Sequence, residues 1–196
     1  MAAGQAGSTL MKATQASLEG VLVLRPRVFG DERGFFLESY NQRVMEEVGI
    51  HESFVQDNHS FSTRNVLRGL HYQVQRPQGK LVRVIGGEIL DVVVDLRRSS
   101  PTFGGWEAIR LSEENKSMLW IPAGFAHGFL ALTEPVQFLY KCTEFYHAGD
   151  EFGILWSDPS LKISWEIERP NVSAKDLRLP KVDAIPSEHL PKYPGT

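Results

Sequence analysis

A histidine stands within a mostly apolar segment, LRGLHYQ at residues 67–73. Because histidine titrates near neutral pH, His71 suits the transfer of a proton. If the segment is a β-strand, alternation puts His71 on one face and Arg68 and Tyr72 on the other. His71 would then face the interior of a sandwich or barrel. There it is either beside a ligand or a core histidine with one hydrogen bond, and the sequence leaves both open.

Lys80 and Asp91 belong to a neighbouring segment, KLVRVIGGEILDVVVDL at residues 80–96. Asp91 interrupts a run of apolar, β-branched residues, so its carboxylate is either buried and paired or lines a wet cavity. Gly86-Gly87 separates two apolar runs and predicts a tight hairpin turn. A lysine at a strand end usually has no special role, but Lys80, His71 and Asp91 come from neighbouring segments that could converge.

Two further residues have both a structural and a chemical interpretation. Tyr140, in FLYKC, is either a packed tyrosine with a satisfied hydroxyl or a proton donor beside a substrate carbanion. Ser173 to Asp176, SAKD, fits a capping box that begins a helix. Alternatively, the Asp176 carboxylate hydrogen-bonds a histidine, which fixes the tautomer of the ring and raises its basicity.

The stretch WIPAGFAHGF, residues 120–129, contains the pattern Pro-x-Gly-x-x-His, which ends at His127. It resembles part of the second motif of the cupin superfamily, whose members are small jelly-roll barrels. In metal-dependent cupins this histidine is a ligand, and the first motif adds a His-x-His pair. Here the corresponding place reads His71-Tyr72-Gln73, so the paired histidine is missing. A metal ion needs several convergent donors, and we therefore predict a pocket without a metal.

The elements that must position these residues are short strands. Between residues 21 and 165, runs of β-branched or aromatic residues alternate with turn residues, which is typical of a sandwich or barrel. Residues 41–48, followed by Gly49, predict a short helix, and Ser112 with two following glutamates predicts the start of another. Five prolines after residue 165 indicate an irregular C-terminal arm with one short helix near Ser173. Besides 80–96, strands are predicted at 21–29, 35–40, 54–61, 66–73, 105–111, 117–121, 127–132, 136–145, 152–156 and 162–166.

Length and composition exclude several classes of protein. With 196 residues, 42% of them hydrophobic, the chain suits one domain with or without tails. A formal net charge of −3 predicts no general affinity for nucleic acids or anionic membranes. Cys142 is the only cysteine, which excludes an internal disulfide and a cysteine-based zinc site. No apolar stretch approaches the roughly 20 residues of a membrane-spanning helix and no secretory signal is visible, so we expect a soluble cytoplasmic protein.

Ten motifs, in family order and spacing, resemble the dTDP-4-dehydrorhamnose 3,5-epimerases, which are cofactor-free cupins. The resemblance implies an all-β double-stranded β-helix, or jelly-roll (cupin) barrel, with a few short helices and an irregular C-terminal arm. It places the epimerase domain at residues 19–178, a flexible leader at 1–18 and a proline-rich tail at 179–196. The motifs are DERGFFLESY (31–40), FVQDNHS (54–60), VLRGLHYQ (66–73), QGKLVRV (78–84), GEILDVVVDLR (87–97), SPTFGGW (100–106), LSEENKSMLWIPAGFAHGF (111–129), FLYKCTEFY (138–146), GILWSDP (153–159) and SAKD (173–176).

The resemblance also implies a role for each matching residue. The expected catalytic residues are His71 as base, Asp176 as its hydrogen-bond partner, Tyr140 as general acid, and Lys80 and Asp91 at the reacting centre. The expected contacts with the substrate come from Arg33, Phe36, Glu38, Gln56, Asn58, Arg68, His127, Glu151 and Lys175. Some nucleotide contacts in this family come from the second subunit, so a homodimer is implied.

The implied substrate is a dTDP-4-keto-6-deoxyhexose, and neither a metal nor a nicotinamide has a part in its reaction. Both C3 and C5 adjoin the carbonyl, so loss of either proton gives an enolate. Lys80 carries a positive charge where the enolate charge develops, and Tyr140 reprotonates the carbon from the far side, which inverts it. Other functions stay open: a single-centre epimerase, a metal-dependent cupin that uses His71 and His127, or a non-catalytic nucleotide-sugar binder.

One conflict between the implied roles and strand geometry needs a structural solution. Arg68 and His71 are both expected in the pocket, but they fall on opposite faces of a regular strand. We therefore predict a β-bulge or twist at Gly69 that brings both side chains to one face.

Overall fold

The computed structural model describes residues 10–194, and within them the chain forms fourteen β-strands and one short α-helix. The helix, α1, is Gln42–Glu47, and single turns of 3-10 helix occur at Ala148–Asp150, Asp176–Arg178, Val182–Ala184 and Ser187–His189. The strands are β1 (Met11–Gln15), β2 (Leu22–Pro26), β3 (Val28–Asp31), β4 (Gly34–Leu37), β5 (Gln56–Ser62), β6 (Val66–Gln73), β7 (Lys80–Gly86), β8 (Glu88–Asp95), β9 (Trp106–Ser112), β10 (Met118–Ile121), β11 (Phe125–Ala131), β12 (Val136–Cys142), β13 (Glu151–Gly153) and β14 (Asn171–Val172).

Two sheets face each other across the core. The first sheet has the order β1-β2-β10-β7-β12-β5, and the second has the order β13-β6-β11-β8-β9 with β14 beside β6. From β5 to β13 almost every connection passes from one sheet to the other, which is how a jelly roll is wound. The prediction of an all-β jelly-roll barrel is therefore confirmed. Strands β3 and β4 form a separate hairpin.

The Gly86-Gly87 turn joins the two sheets and does not close a hairpin. Strand β7 pairs with β10 and β12 in the first sheet, whereas β8 pairs with β11 and β9 in the second. The predicted hairpin is therefore wrong, because turn residues signal a change of direction but not which strands then pair. Glycine is still required, since Gly87 has a φ of +78° and a Cβ there would lie 2.4 Å from the Pro135 carbonyl oxygen.

Apolar residues form three layers around the two sheets. The space between the sheets is filled by branched and aromatic side chains, among them Val84, Val93 and Phe138. The outer face of the first sheet is covered by α1 through Val44 and Met45. This helix confirms the one predicted at 41–48, and its N-cap is Asn41, whose side chain accepts a hydrogen bond from the Arg43 N–H.

The C-terminal arm covers the outer face of the second sheet. Leu161 and Trp165 are buried there, and Val172, Val182 and Leu190 pack beside them. The arm thus runs over the domain as predicted, and the short helix predicted near Ser173 is a single 3-10 turn at Asp176–Arg178. None of the helices within residues 10–194 is long and apolar enough to span a membrane.

Three local predictions differ from the structure. Residues 162–166 form no strand, and Ser112 begins no helix. The Asn115 side chain instead accepts hydrogen bonds from the N–H groups of Ser112 and Ser117, which closes a turn between β9 and β10. Within the expected leader, residues 1–9 lie outside the described residues, but Met11–Gln15 pair with β2 and so belong to the first sheet.

Candidate active site

A bulge in β6 sets the direction of the His71 side chain. Arg68 and His71 are three residues apart on β6, but their partners on β11 are only two apart. The extra residue lies at Gly69, where φ is +115° and a Cβ would come within 2.5 Å of the Gly128 Cα. Arg68 and His71 consequently line the same cavity, which is what the bulge predicted at Gly69 was expected to achieve.

The cavity has a volume of about 550 Å³ and is lined by strands of both sheets. A smaller cavity of about 340 Å³ adjoins it, and His71, Lys80 and Tyr140 line both. Of the residues predicted to form the site, the larger cavity brings together His71, Lys80, Tyr140, Asp176, His127, Arg68 and Lys175, and the smaller adds Gln56, Asn58 and Glu151.

His71 and Asp176 form a hydrogen-bonded pair. The Nε2 of His71 lies 2.7 Å from Oδ1 of Asp176, whose side chain is only 5% exposed. Burial alone would raise the pKa of Asp176, but the hydrogen bond and charge of His71 outweigh it, so the pKa is lowered. An ionised Asp176 accepts a hydrogen bond from Nε2–H, which leaves Nδ1 as the basic atom of the ring. The Asp176 N–H also donates to Ser173 Oγ at 3.0 Å, which is the serine half of the predicted capping box, while the Asp176 carboxylate binds the histidine instead of the helix start.

Tyr140 and His71 reach the cavity from opposite sheets, since Tyr140 is on β12 and His71 on β6. Burial raises the pKa of Tyr140 above its ordinary value, so its hydroxyl keeps its proton at neutral pH. Lys80, the first residue of β7, also lines the cavity. Burial lowers the pKa of the Lys80 ammonium, against the opposing effect of Cys142 and Asp91.

Asp91 lies behind His127 and does not line either cavity within residues 10–194. Its buried carboxylate lies 2.9 and 3.1 Å from Nε2 of His127. Asp91 is thus buried and paired, which was one of the two roles left open by the sequence. The His127 ring stacks on Phe138 and faces the cavity, so Asp91 fixes the orientation of a lining residue.

Glu151 lies beside His71 and is bound by two polar groups, Lys175 and Tyr146. One of its carboxylate oxygens accepts hydrogen bonds from the Lys175 ammonium and, at 2.9 Å, from the Tyr146 hydroxyl. The other oxygen lies 3.8 Å from Nδ1 of His71. Burial would raise the pKa of Glu151, but the bonds from Lys175 and Tyr146 dominate and lower it. Tyr146 was not predicted as a site residue, although it is the last residue of the motif FLYKCTEFY.

The polar side chains around the smaller cavity hold one another in place. Gln56 donates to Asn58 Oδ1 at 2.9 Å and accepts from the Tyr146 N–H at 2.8 Å. Arg68, in the larger cavity, donates to Ser62 Oγ and to the Phe61 carbonyl oxygen, each at 3.1 Å. Its guanidinium is therefore oriented beside the space that the cavity encloses.

The structure does not bring Arg33, Phe36 and Glu38 to these cavities. Arg33 is exposed on the β3–β4 hairpin and pairs with Asp31, and Phe36 is 67% exposed. Glu38 follows the hairpin, and its Oε1 is buried without a hydrogen-bond partner among the described residues. The contacts with a substrate that were expected of these three residues are therefore not placed at the cavities of this chain.

Some lining residues were missed by sequence analysis, and alternation could have found the first of them. Ser60 follows Gln56 and Asn58 at every second position of β5 and lines the larger cavity. Phe129, Phe138, Asn171 and Ser173 also line it. Within residues 10–194, no three His, Cys, Asp or Glu side chains converge closely enough to hold a metal ion. The residues present therefore do not fit the metal centre of metal-dependent cupins.

A family model described as dTDP-4-dehydrorhamnose 3,5-epimerase matches residues 15–184. The chain belongs to this family. The dTDP-4-dehydrorhamnose 3,5-epimerase of Pseudomonas aeruginosa is 60% identical over 168 residues, which cover 85% of this chain and 93% of that protein.

Solved structures of epimerases have the same fold. The dTDP-6-deoxy-D-glucose-3,5-epimerase of Legionella pneumophila, solved with dTDP-4-keto-L-rhamnose, superimposes with a TM-score of 0.90 at 48% identity. The match covers 93% of this chain and 98% of that one. A 3'-monoepimerase of Streptomyces bikiniensis, solved with dTDP-quinovose, has a TM-score of 0.84 at 32% identity and covers 91% and 92% of the two chains.

Proposed function

We propose that this chain epimerises C3 and C5 of dTDP-4-dehydro-6-deoxy-D-glucose and so forms dTDP-4-dehydro-L-rhamnose, without a cofactor. The observation that carries the proposal is that His71 and Tyr140 enter one cavity from opposite sheets, with Lys80 in the same lining. An inversion needs a base and an acid on opposite faces of the same carbon, and this arrangement supplies both. The names of its relatives support the choice of substrate.

The first step is the removal of a proton next to the 4-keto group. Nδ1 of His71 takes the proton, since Nε2 is engaged by Asp176. The electron pair of the broken C–H bond moves towards the carbonyl and forms an enolate. The resulting imidazolium is stabilised by the Asp176 carboxylate at 2.7 Å.

The negative charge of the enolate develops on the C4 oxygen. Lys80 supplies a positive charge in the cavity near that oxygen, and His127, held in orientation by Asp91, lines the same cavity beside it. Because His127 is buried and Lys80 is half-buried, these groups act at lower effective dielectric than in water.

The second step delivers a proton from the other face. The Tyr140 hydroxyl, protonated because burial raises its pKa, gives its proton to the carbon and becomes a phenolate. Exchange with solvent then reprotonates Tyr140 and deprotonates His71, which restores the enzyme. The same cycle at the second carbon completes the reaction.

The nucleotide half of the substrate is assigned to the polar groups around this centre. Arg68 and Lys175 offer positive charge to the diphosphate, and Gln56 and Asn58 offer amides to the nucleoside. The protein would act as a homodimer. The β3–β4 hairpin of each subunit would then place Arg33, Phe36 and Glu38 at the cavity of the other subunit. Solvent exposure of that hairpin supports this assignment. A biosynthetic activity on a nucleotide sugar fits a cytoplasmic location.

The test is to run the reaction in D₂O with dTDP-4-dehydro-6-deoxy-D-glucose. We expect two deuterons in each product molecule, one at C3 and one at C5, by mass spectrometry and NMR. Folded protein that introduces no label into either position rejects the function.

A single-centre epimerase is the second candidate, because the 3'-monoepimerase of Streptomyces bikiniensis has such a similar structure. The same experiment separates the two. One deuteron per product molecule, in a product inverted at one carbon, identifies a monoepimerase.

A further inference from the structure

His71 lies between two carboxylates. Asp176 is 2.7 Å from Nε2, and the Oε1 of Glu151 is 3.8 Å from Nδ1. At 3.8 Å Glu151 is beyond hydrogen-bond distance, so it leaves the lone pair of Nδ1 free for a proton from the substrate. Its charge still acts over this distance, and its side chain is only 16% exposed.

The family resemblance assigns Glu151 to substrate binding, but a carboxylate is a poor neighbour for a diphosphate. Its contacts within this chain point to another task. Lys175 and Tyr146 bind one oxygen and thereby aim the other at the imidazole. Two groups, one in the C-terminal arm and one five residues before Glu151, thus hold its charge beside the atom expected to accept the proton.

We propose that Glu151 is a positioning residue that acts through His71. Its carboxylate stabilises the imidazolium formed when Nδ1 takes the proton, and Lys175 and Tyr146 hold that carboxylate in place. The proposal rests on the proposed function of this site. It concerns how strong a base His71 is and not how the substrate is held.

The other charged or titratable groups around His71 come from every element packed against it. They are Lys80 on β7, Tyr140 and Cys142 on β12, His127 on β11, Arg68 and Tyr72 on β6, Tyr146 before β13, and Lys175 and Asp176 in the C-terminal arm. Two carboxylates lie within 4 Å of the ring nitrogens, and both have a lowered pKa, so both are ionised at neutral pH. Opposite charge at this distance favours the protonated ring.

The experiment is an NMR titration of the His71 ring in the enzyme without substrate, with the signal assigned by its loss in His71→Asn. In Glu151→Gln, we expect the midpoint of this titration to move to lower pH than in wild type, because an opposite charge beside Nδ1 is lost. The acid limb of the kcat/KM profile should move to lower pH by the same amount, and kcat at neutral pH should fall about tenfold.

Two matched variants separate this role from a merely structural one. Lys175→Met removes a cation while the Tyr146 hydroxyl still holds the Glu151 carboxylate, so the His71 titration should move to higher pH. Glu151→Asp keeps the charge and should restore most of the shift lost in Glu151→Gln. If Glu151→Gln does not fold, the direction of the Lys175→Met shift decides.

The proposal is overturned if the His71 titration is unchanged in Glu151→Gln. If Glu151→Gln does not fold, an unchanged titration in Lys175→Met overturns it. A raised KM with an unmoved pH profile also overturns it and returns Glu151 to substrate binding. Failure of the proposed function looks different: wild type would then incorporate no deuterium, while the titration could still be measured.

Discussion

The Nε2 of His71 and the Oδ1 of Asp176 are 2.7 Å apart, although 105 positions separate the two residues in the chain. The arm that carries Asp176 is anchored against the second sheet, and β14, just before it, runs parallel to β6. The base and its partner therefore stay together only while the C-terminal arm is docked on the barrel.

The first prediction concerns this pair. In Asp176→Asn, we expect kcat to fall roughly 100-fold or more with a much smaller change in KM, because an amide neither fixes the tautomer of His71 nor stabilises its imidazolium. Steady-state kinetics measure both constants. Ser173→Ala is the control, since it removes only the hydrogen bond to the Asp176 N–H. Equal losses in the two variants would mean that the local turn matters and the carboxylate does not.

The second prediction separates the acid from the base. In Tyr140→Phe, proton abstraction by His71 should continue, while delivery from the opposite face is lost. We expect inversion to fall by at least about 100-fold, with deuterium from solvent still entering recovered substrate without inversion. NMR of the recovered sugar measures this exchange. The absence of exchange in folded Tyr140→Phe would contradict separate roles for the two residues.

The third prediction tests whether the hairpin serves a second chain. His71→Asn and Arg33→Ala should each be nearly inactive alone. If Arg33 completes the cavity of the partner, a mixed dimer contains one site with both wild-type residues, and unfolding and refolding an equal mixture should restore about a quarter of wild-type activity. If each chain completes its own cavity, every site in the mixture lacks one residue and no activity returns.

The fourth prediction concerns stability and pH. Asp95 is fully buried and accepts hydrogen bonds from Arg97, Ser100 and Thr102. Burial would raise its pKa, but these bonds lower it below the ordinary value of 3.8. Its contribution to folding is therefore complete above about pH 4 and lost as the pH falls through the folded-state pKa.

Asp95→Asn should lower the free energy of unfolding by about 3 kcal/mol at pH 7, because it leaves the buried Arg97 without its ionic partner. The deficit relative to wild type should shrink as the pH falls below 4. Urea denaturation at several pH values measures it, with the exposed Asp183→Asn as control. A deficit that does not vary with pH would contradict the ionic role of Asp95.

Much of this architecture could be predicted from sequence because it depends on local patterns. Alternation found most strands, and the conflict between Arg68 and His71 predicted the bulge at Gly69. Sheet membership could not be predicted in the same way, since the Gly86-Gly87 turn looks the same whether its flanking strands pair or separate. The buried pairing of Asp91 with His127 and the contact of Glu151 with Lys175 depend on long-range packing, which no local pattern encodes.

The winding of the barrel has a consequence for how the protein folds. Because nearly all successive strands from β5 to β13 join alternate sheets, with β8 and β9 as the exception, neither sheet is built from one continuous stretch of chain. Closing many large loops before their contacts form is entropically costly, so this topology favours folding on a scale of milliseconds to seconds or longer. A nascent chain that lacks the last strands and the arm would expose apolar edges and have no assembled proton-transfer machinery, so activity should arise only with the complete polypeptide.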